Sequence, residues 1–172
     1  MKEFELQKKF NWELANQPIG GSGAHYLGEE YLGGIIFNLY IGSDGQQHGL
    51  IAYPGRSELK WQNTPTETGA TSLWDGQSNT ALITDSPAKD YVTSLGSGWY
   101  IPSIDELIIM YYNRFYLNQG FENAGYSYRL NFTNFWSSTE ANSTFATLLT
   151  APGTNSSGTK TANQYVNAIK KF

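Results

Sequence analysis

Trp99-Tyr100-Ile101-Pro102-Ser103-Ile104-Asp105-Glu106-Leu107 is the stretch on which the reading of the fold turns. Ser103 is a helix N-cap residue and Glu106 stands three positions on. At that spacing the serine side chain and the glutamate side chain can each accept the other's backbone N–H, a capping box. Asp105 and Glu106 also place negative charge at the positive end of the helix. Ile104, Leu107, Ile108, Tyr111 and Phe115 then share one helical face. The spacing predicts one amphipathic helix from Ser103 to near Leu117, ended near Gly120.

Working toward the N-terminus, Ala88, Tyr91, Val92 and Leu95 predict a second helix that starts near Ser86, with Pro87 behind it. Residues 54–79 are rich in Gly, Ser, Thr, Pro and Asn, and read as a long ordered loop anchored by the indoles of Trp61 and Trp74. Gly33 to Ile41 reads as a buried strand, Ser43-Asp44-Gly45 as a turn, and Gly49 to Ala52 as a second strand of the same hairpin. Working toward the C-terminus, residues 118–134 read as a loop rich in Asn and Tyr. Phe132 to Thr139, Thr144 to Thr150 and Gln164 to Phe172 read as strands, and Pro152 to Thr159 as a turn or exposed loop. Trp99 and Trp136 are expected in the core. Ser137, Ser138, Thr139 and Glu140 are expected to satisfy backbone groups of the loops, with ligand binding as the alternative.

Residues 1–17 differ from the rest. Leu6, Phe10 and Leu14 are spaced for one helical face, with Phe4 and Trp12 beside them, and Pro18 with Gly20-Gly21-Ser22-Gly23 makes a flexible joint. Residues 1–23 therefore read as an arm and Gly-rich joint, and 24–172 as the domain. A helix this short is marginal alone. Phe4, Leu6, Phe10, Trp12 and Leu14 either pack on their own domain or, as taken here, dock a partner.

The composition narrows the function. The 172 residues suit one domain with a full core. A net charge of −4 and a pI near 5.1 argue against nucleic acid. With 40% hydrophobic and 15% charged residues the chain is not of disordered type, and 15% aromatics with 18 glycines point to a loop-rich domain containing β-structure. Absence of cysteine excludes disulfides, thiol catalysis and thiolate metal sites. No run is long enough for membrane insertion, and Met1 to Leu14 does not read as a signal peptide. His25 and His48 show no carboxylate at ligand spacing, and are taken as turn or core groups rather than metal ligands. No nucleophile elbow, phosphate loop or zinc motif is present. Asp75 and Glu140 are the carboxylates that a glycan hydrolase would need to pair, and no spacing pairs them. The chain is therefore expected to be no enzyme and to need no cofactor or metal.

The ordered blocks Ala24-His25-Tyr26-Leu27-Gly28-Glu29, Gly33 to Phe37, Asp44-Gly45, His48 to Ala52, Trp61, Asp75-Gly76 with Asn79-Thr80, Trp99 to Leu107 with Met110-Tyr111, Phe135 to Glu140, and Val166 to Phe172 resemble one family. It is the C-terminal domain family of the collagen-like bacterial adhesin Lcl, and the resemblance covers residues 24–172. It implies an α+β, C-type-lectin-like fold of two helices with antiparallel sheets and long ordered loops, preceded here by the short N-terminal arm. The chain departs from the family in lacking a cysteine in the first helix region and in carrying Asn167 and Lys170 where arginines are usual. The calcium motifs of sugar-binding lectins and the redox cysteines of the formylglycine-generating relatives are absent, so neither activity is expected.

The resemblance implies a non-enzymatic surface binding module. The expectation is a phage virion protein, a fibre or decoration subunit. Its head would attach to a host cell-surface glycan or protein, and its arm would dock to a virion structural protein. The expected location is the virion surface and the expected state a homo-oligomer. The alternatives are a purely structural virion subunit, or an adhesin domain of the bacterial cell surface or extracellular space. Candidate ligand-binding residues at loop tips are Tyr126, Tyr128, Asn142, Asn155, Ser156 and Thr159.

Overall fold

A computed structural model describes residues 24–131 and 133–172; Phe4, Leu6, Phe10, Trp12 and Leu14 of the expected arm lie outside the described residues. Strands β1 (Glu30–Tyr31), β2 (Gly34–Ile41) and β3 (Gln47–Lys60) are followed by helices α1 (Gly76–Leu82), α2 (Pro87–Ser94), α3 (Ile104–Tyr112) and α4 (Arg114–Asn123). Strands β4 (Phe135–Glu140), β5 (Phe145–Thr150), β6 (Thr154–Thr159) and β7 (Asn163–Lys171) complete the chain. They form one seven-stranded sheet in the order β1-β2-β3-β7-β4-β5-β6. Neighbours are antiparallel except β4 and β7, which run parallel at Phe135 and Tyr165, so the sheet is mixed.

Successive side chains of a strand point to opposite faces, and here both faces are apolar. Phe135, Ile35, Leu149 and Ile169 pack with Leu107, Met110, Leu117 and Phe121 of α3 and α4. Ile36, Ile51, Trp136, Leu148, Val166 and Ala168 pack on the other face with Trp61, Ile83, Ala88 and Val92. Two apolar faces need two covers. That requirement overturns the expected C-type-lectin-like arrangement of two helices with antiparallel sheets: the described residues form one mixed sheet and four short helices.

Other expectations are corrected locally. The helix after Ser103 breaks at Asn113, whose side-chain amide turns away to donate to the Phe37 carbonyl at 2.9 Å, and α4 continues past Gly120 to Asn123. The supposed loop at 54–79 begins as strand, because β3 runs on to Lys60 across an irregularity between Ala52 and Arg56 where Pro54 sits. It ends in α1, capped by Asp75, which accepts from the Ser78 amide. Trp61 is fully buried as expected, but Trp74 is 72% exposed and anchors nothing. The stretch at 154–159 is not a loop but the edge strand β6, paired along its length with β5. Both elements of the capping box are present in α3, and Ser86 caps α2 as read from the sequence. Among the described residues no helix is long and apolar enough to cross a membrane.

Candidate functional site

Among the described residues, the outer edge of β2 beyond β1 lies beside a cavity. Gly49 of β3 exchanges backbone hydrogen bonds with Phe172 (3.2 Å each). Gly49 therefore faces away from β2, and its neighbours His48 and Leu50 face Tyr40 and Asn38. Leu39 and Ile41 must then turn their N–H and C=O groups to the outer edge. β1 covers that edge only at Gly34 and Ile35. Gly28 N–H reaches the Ile36 carbonyl at 2.8 Å, and Asn113 takes the Phe37 carbonyl.

Beyond that point lies a cleft of about 550 Å³, lined by residues 24–27, residues 38–41, Gln47 and Asn113. Residues 24–27 are held by a reciprocal pair: His25 N–H donates to Gln47 Oε1 (2.7 Å) and Gln47 Nε2 donates to the His25 carbonyl (3.1 Å). The His25 ring packs on Tyr31 (4.1 Å between centroids) and Phe172 (5.0 Å), and its Nδ1 lies 3.0 Å from the Glu29 carboxylate. His48 Nε2 likewise lies 3.0 Å from Asp44. Both histidines thus have a carboxylate four residues away, which corrects the reading of them as lacking such neighbours. The pairing raises the His48 pKa from its ordinary value, chiefly through the Asp44 hydrogen bond and against some desolvation.

Around Asn113 the α3–α4 junction carries an aromatic ridge. Tyr112 is 70% and Phe115 67% exposed, with Tyr116 edge-to-face on Phe115 at 5.6 Å. Tyr26, also well exposed, lines the cleft. Such a grouping of exposed rings is the kind of surface that marks an interaction site. Among the described residues, the cleft's lining offers amides, rings and aliphatic carbon, and no carboxylate. Among the described residues no group of three or more His, Asp or Glu could hold a metal ion.

The residues chosen from sequence lie elsewhere and do not converge. Tyr126 donates to Glu30 Oε1 (2.7 Å) and packs edge-on against Phe121. Tyr128 bonds Asn167 and also packs on Phe121. Both are half-buried struts rather than displayed tips. Asn142 is exposed and its Oδ1 accepts from the amides of Thr144 and Phe145 (2.9 Å each), which closes the β4–β5 turn. Asn155, Ser156 and Thr159 are exposed along β6, at the opposite edge of the sheet from β2. Glu140 is buried on Lys160, and Asp75 caps α1 and meets Lys171 at 3.2 Å. Sequence reasoning passed over Tyr112, Phe115 and Tyr116 because the helical pattern assigns Phe115 to the buried face. The break at Asn113 rotates it outward.

No family model and no curated protein matches the chain. Among solved structures it is similar to a fimbrial protein from Bacteroides ovatus, with a TM-score of 0.58 and 17% sequence identity over 93% of this chain. The match takes in 41% of the fimbrial protein, so this chain spans about two fifths of that protein's length. At this identity the likeness is one of fold.

Proposed function

We propose that this protein is a non-enzymatic, surface-displayed contact module, adhesin-like or fimbrial in kind, that belongs to the bacterial cell surface. The observation that carries the reading is the ridge of Tyr112, Phe115 and Tyr116, exposed on helices whose other sides are locked into the core. Rings held on a rigid scaffold can stack on sugar faces or apolar protein surface at little entropic cost. The fold shared with a fimbrial protein supports this setting. It lends nothing to the virion reading, so the cell-surface alternative leads.

The test is adhesion of the labelled full chain to intact cells of its source and to an array of pure oligosaccharides. The unaltered chain is expected to bind one of them. The Tyr112→Ser/Phe115→Ser variant is expected to lose at least about tenfold in affinity with an unchanged unfolding midpoint, a loss typical of exposed aromatic anchors. Equal binding by a folded variant would overturn the assignment of the ridge.

A further inference from the structure

We propose that His48 is a protonation-operated latch: the imidazolium ties the β2–β3 turn to Phe172 at the end of β7 by a bond from each ring nitrogen, and the neutral ring keeps Asp44 and releases Phe172. The device goes beyond the role given to the aromatic ridge and does not depend on it.

The donors and acceptors carry the inference. His48 Nε2 lies 3.1 Å and 3.0 Å from the two Asp44 carboxylate oxygens, and Nδ1 lies 3.3 Å from the Phe172 main-chain oxygen. Both partners accept and neither donates. A neutral imidazole has one N–H and an imidazolium has two, so the cation alone can serve both. When one proton leaves, the remaining hydrogen stays with the stronger acceptor. The Asp44 carboxylate is charged and closer, and charge-assisted bonds are roughly twice as strong as neutral ones. Neutral His48 is therefore the Nε2–H tautomer, and its Nδ1 turns a lone pair on the Phe172 oxygen. An attractive contact becomes a repulsive one.

The contacts of Phe172 set how far the latch reaches. The oxygen that faces His48 also accepts from the Gly49 amide, and the Phe172 amide donates back to Gly49 (3.2 Å each). The Phe172 ring lies so close to Gly49 that a Cβ there would meet it at 2.7 Å. The same ring packs edge-on against His25 (5.0 Å) and against Tyr31 of β1 (5.1 Å). Loosening Phe172 thus loosens the β3–β7 pairing at that end, together with the packing of Tyr31 and His25.

The surroundings leave Asp44 in control of the ring. From β2, the Tyr40 ring stacks on His48 at 5.6 Å. From the turn, the Gly42 backbone approaches so closely that a Cβ would stand 2.6 Å from the imidazole. From β7, Lys171 sends its ammonium to Asp75 (3.2 Å). The His25–Glu29 pair (3.0 Å) meets Phe172 through the His25 ring. Asp44 is itself held below its ordinary 3.8, chiefly by the Gln46 amide, and stays charged while His48 titrates. It raises the His48 pKa above the ordinary 6.5, so the latch is closed below that value and opens as pH rises through the folded one.

The test is NMR of the full chain, labelled with nitrogen-15, from about pH 5 to about pH 9. Correlations within the ring are expected to place the hydrogen of neutral His48 on Nε2. Amide exchange, corrected for the intrinsic effect of pH, is expected to show Phe172 and Gly49 losing at least about threefold in protection across the His48 titration, the order of one part-exposed hydrogen bond. In His48→Gln that loss should vanish. A neutral ring with its hydrogen on Nδ1 would overturn the proposal. So would protection that stays level in the unaltered chain, or a loss that persists in His48→Gln, which would assign it to His25. The tautomer is read on the unaltered chain, so the fold of the variant does not decide the outcome. No readout involves Tyr112 or Phe115, and the latch and the ridge fail separately.

Discussion

Glu140 and Lys160 meet in the interior, the ammonium of Lys160 donating to Glu140 Oε1 with both side chains inaccessible to solvent. Lys160 Nζ also donates to the Thr66 carbonyl (2.6 Å) and sits 4.8 Å from the centre of the Trp61 ring. The Glu140 carboxylate takes the amides of Thr68 (3.0 Å) and Gly69 (2.9 Å). The two side chains therefore fasten the segment after Trp61 to β4. A buried pair is costly to break because the remaining charge is stranded. Glu140→Gln or Lys160→Met is expected to lower stability by about 3–5 kcal/mol in urea unfolding. Removing both charges together should cost less than the sum of the two. Additive losses would show that the pair is not coupled.

Acid should unfold the protein partly through this same carboxylate. Burial pushes the Glu140 pKa up, but the Lys160 ammonium and the Thr68 and Gly69 amides outweigh it, and the net shift is below the ordinary 4.5. A carboxyl depressed in the folded state contributes stability above its unfolded pKa and loses it as pH falls through the folded value. Asp75, held down chiefly by the Ser78 hydroxyl, and Asp85, held down chiefly by the Asn63 amide, act in the same direction. The unfolding midpoint is expected to fall as pH drops below about 4.5. Glu140→Gln/Lys160→Met should show a shallower fall over that range. An identical slope would remove Glu140 from the account.

His48 works with the opposite sign. Its pKa is raised above 6.5 by Asp44, so the pair supports the β2–β3 turn below the unfolded value. That support fades as pH rises through the folded value. Titration of the His48 ring by NMR should give a value above 6.5, and Asp44→Asn should lower it. A ring that titrates alike in both proteins would contradict the contact.

Gly120 sets how closely α4 lies on the sheet. A Cβ there would stand 2.4 Å from Ile35 Cγ2 and 2.5 Å from the Gly28 carbonyl oxygen. Neither a core side chain nor backbone gives way easily. Gly120→Ala is expected to cost about 1–3 kcal/mol despite alanine's better helix propensity. A neutral or stabilising result in thermal unfolding would mean that α4 can shift outward freely.

Much of the local structure was legible in residues that act on their near neighbours. Ser103 and Glu106 specify their helix start by reciprocal bonds, Ser86 with Pro87 does the same, and Asp44-Gly45 makes the hairpin turn. What was not legible depends on distant partners. Asn113 leaves the helix for the Phe37 carbonyl, 76 residues away. The Thr154–Thr159 segment has weak strand propensity and is a strand because β5 pairs with it. The fold class went wrong for the same reason. The strand read over Phe132 to Thr139 overlaps β4 at Phe135–Glu140, but only the arrangement in space shows β7 lying between β3 and β4. The ridge escaped notice because one residue, Asn113, turns Phe115 from core to surface.

Labelling of intact source cells with a membrane-impermeant amine reagent tests surface display most directly. The chain is expected to be labelled on whole cells at exposed lysines, with no increase in labelled fraction after lysis. Labelling that occurs only once the cells are broken would contradict a surface contact module.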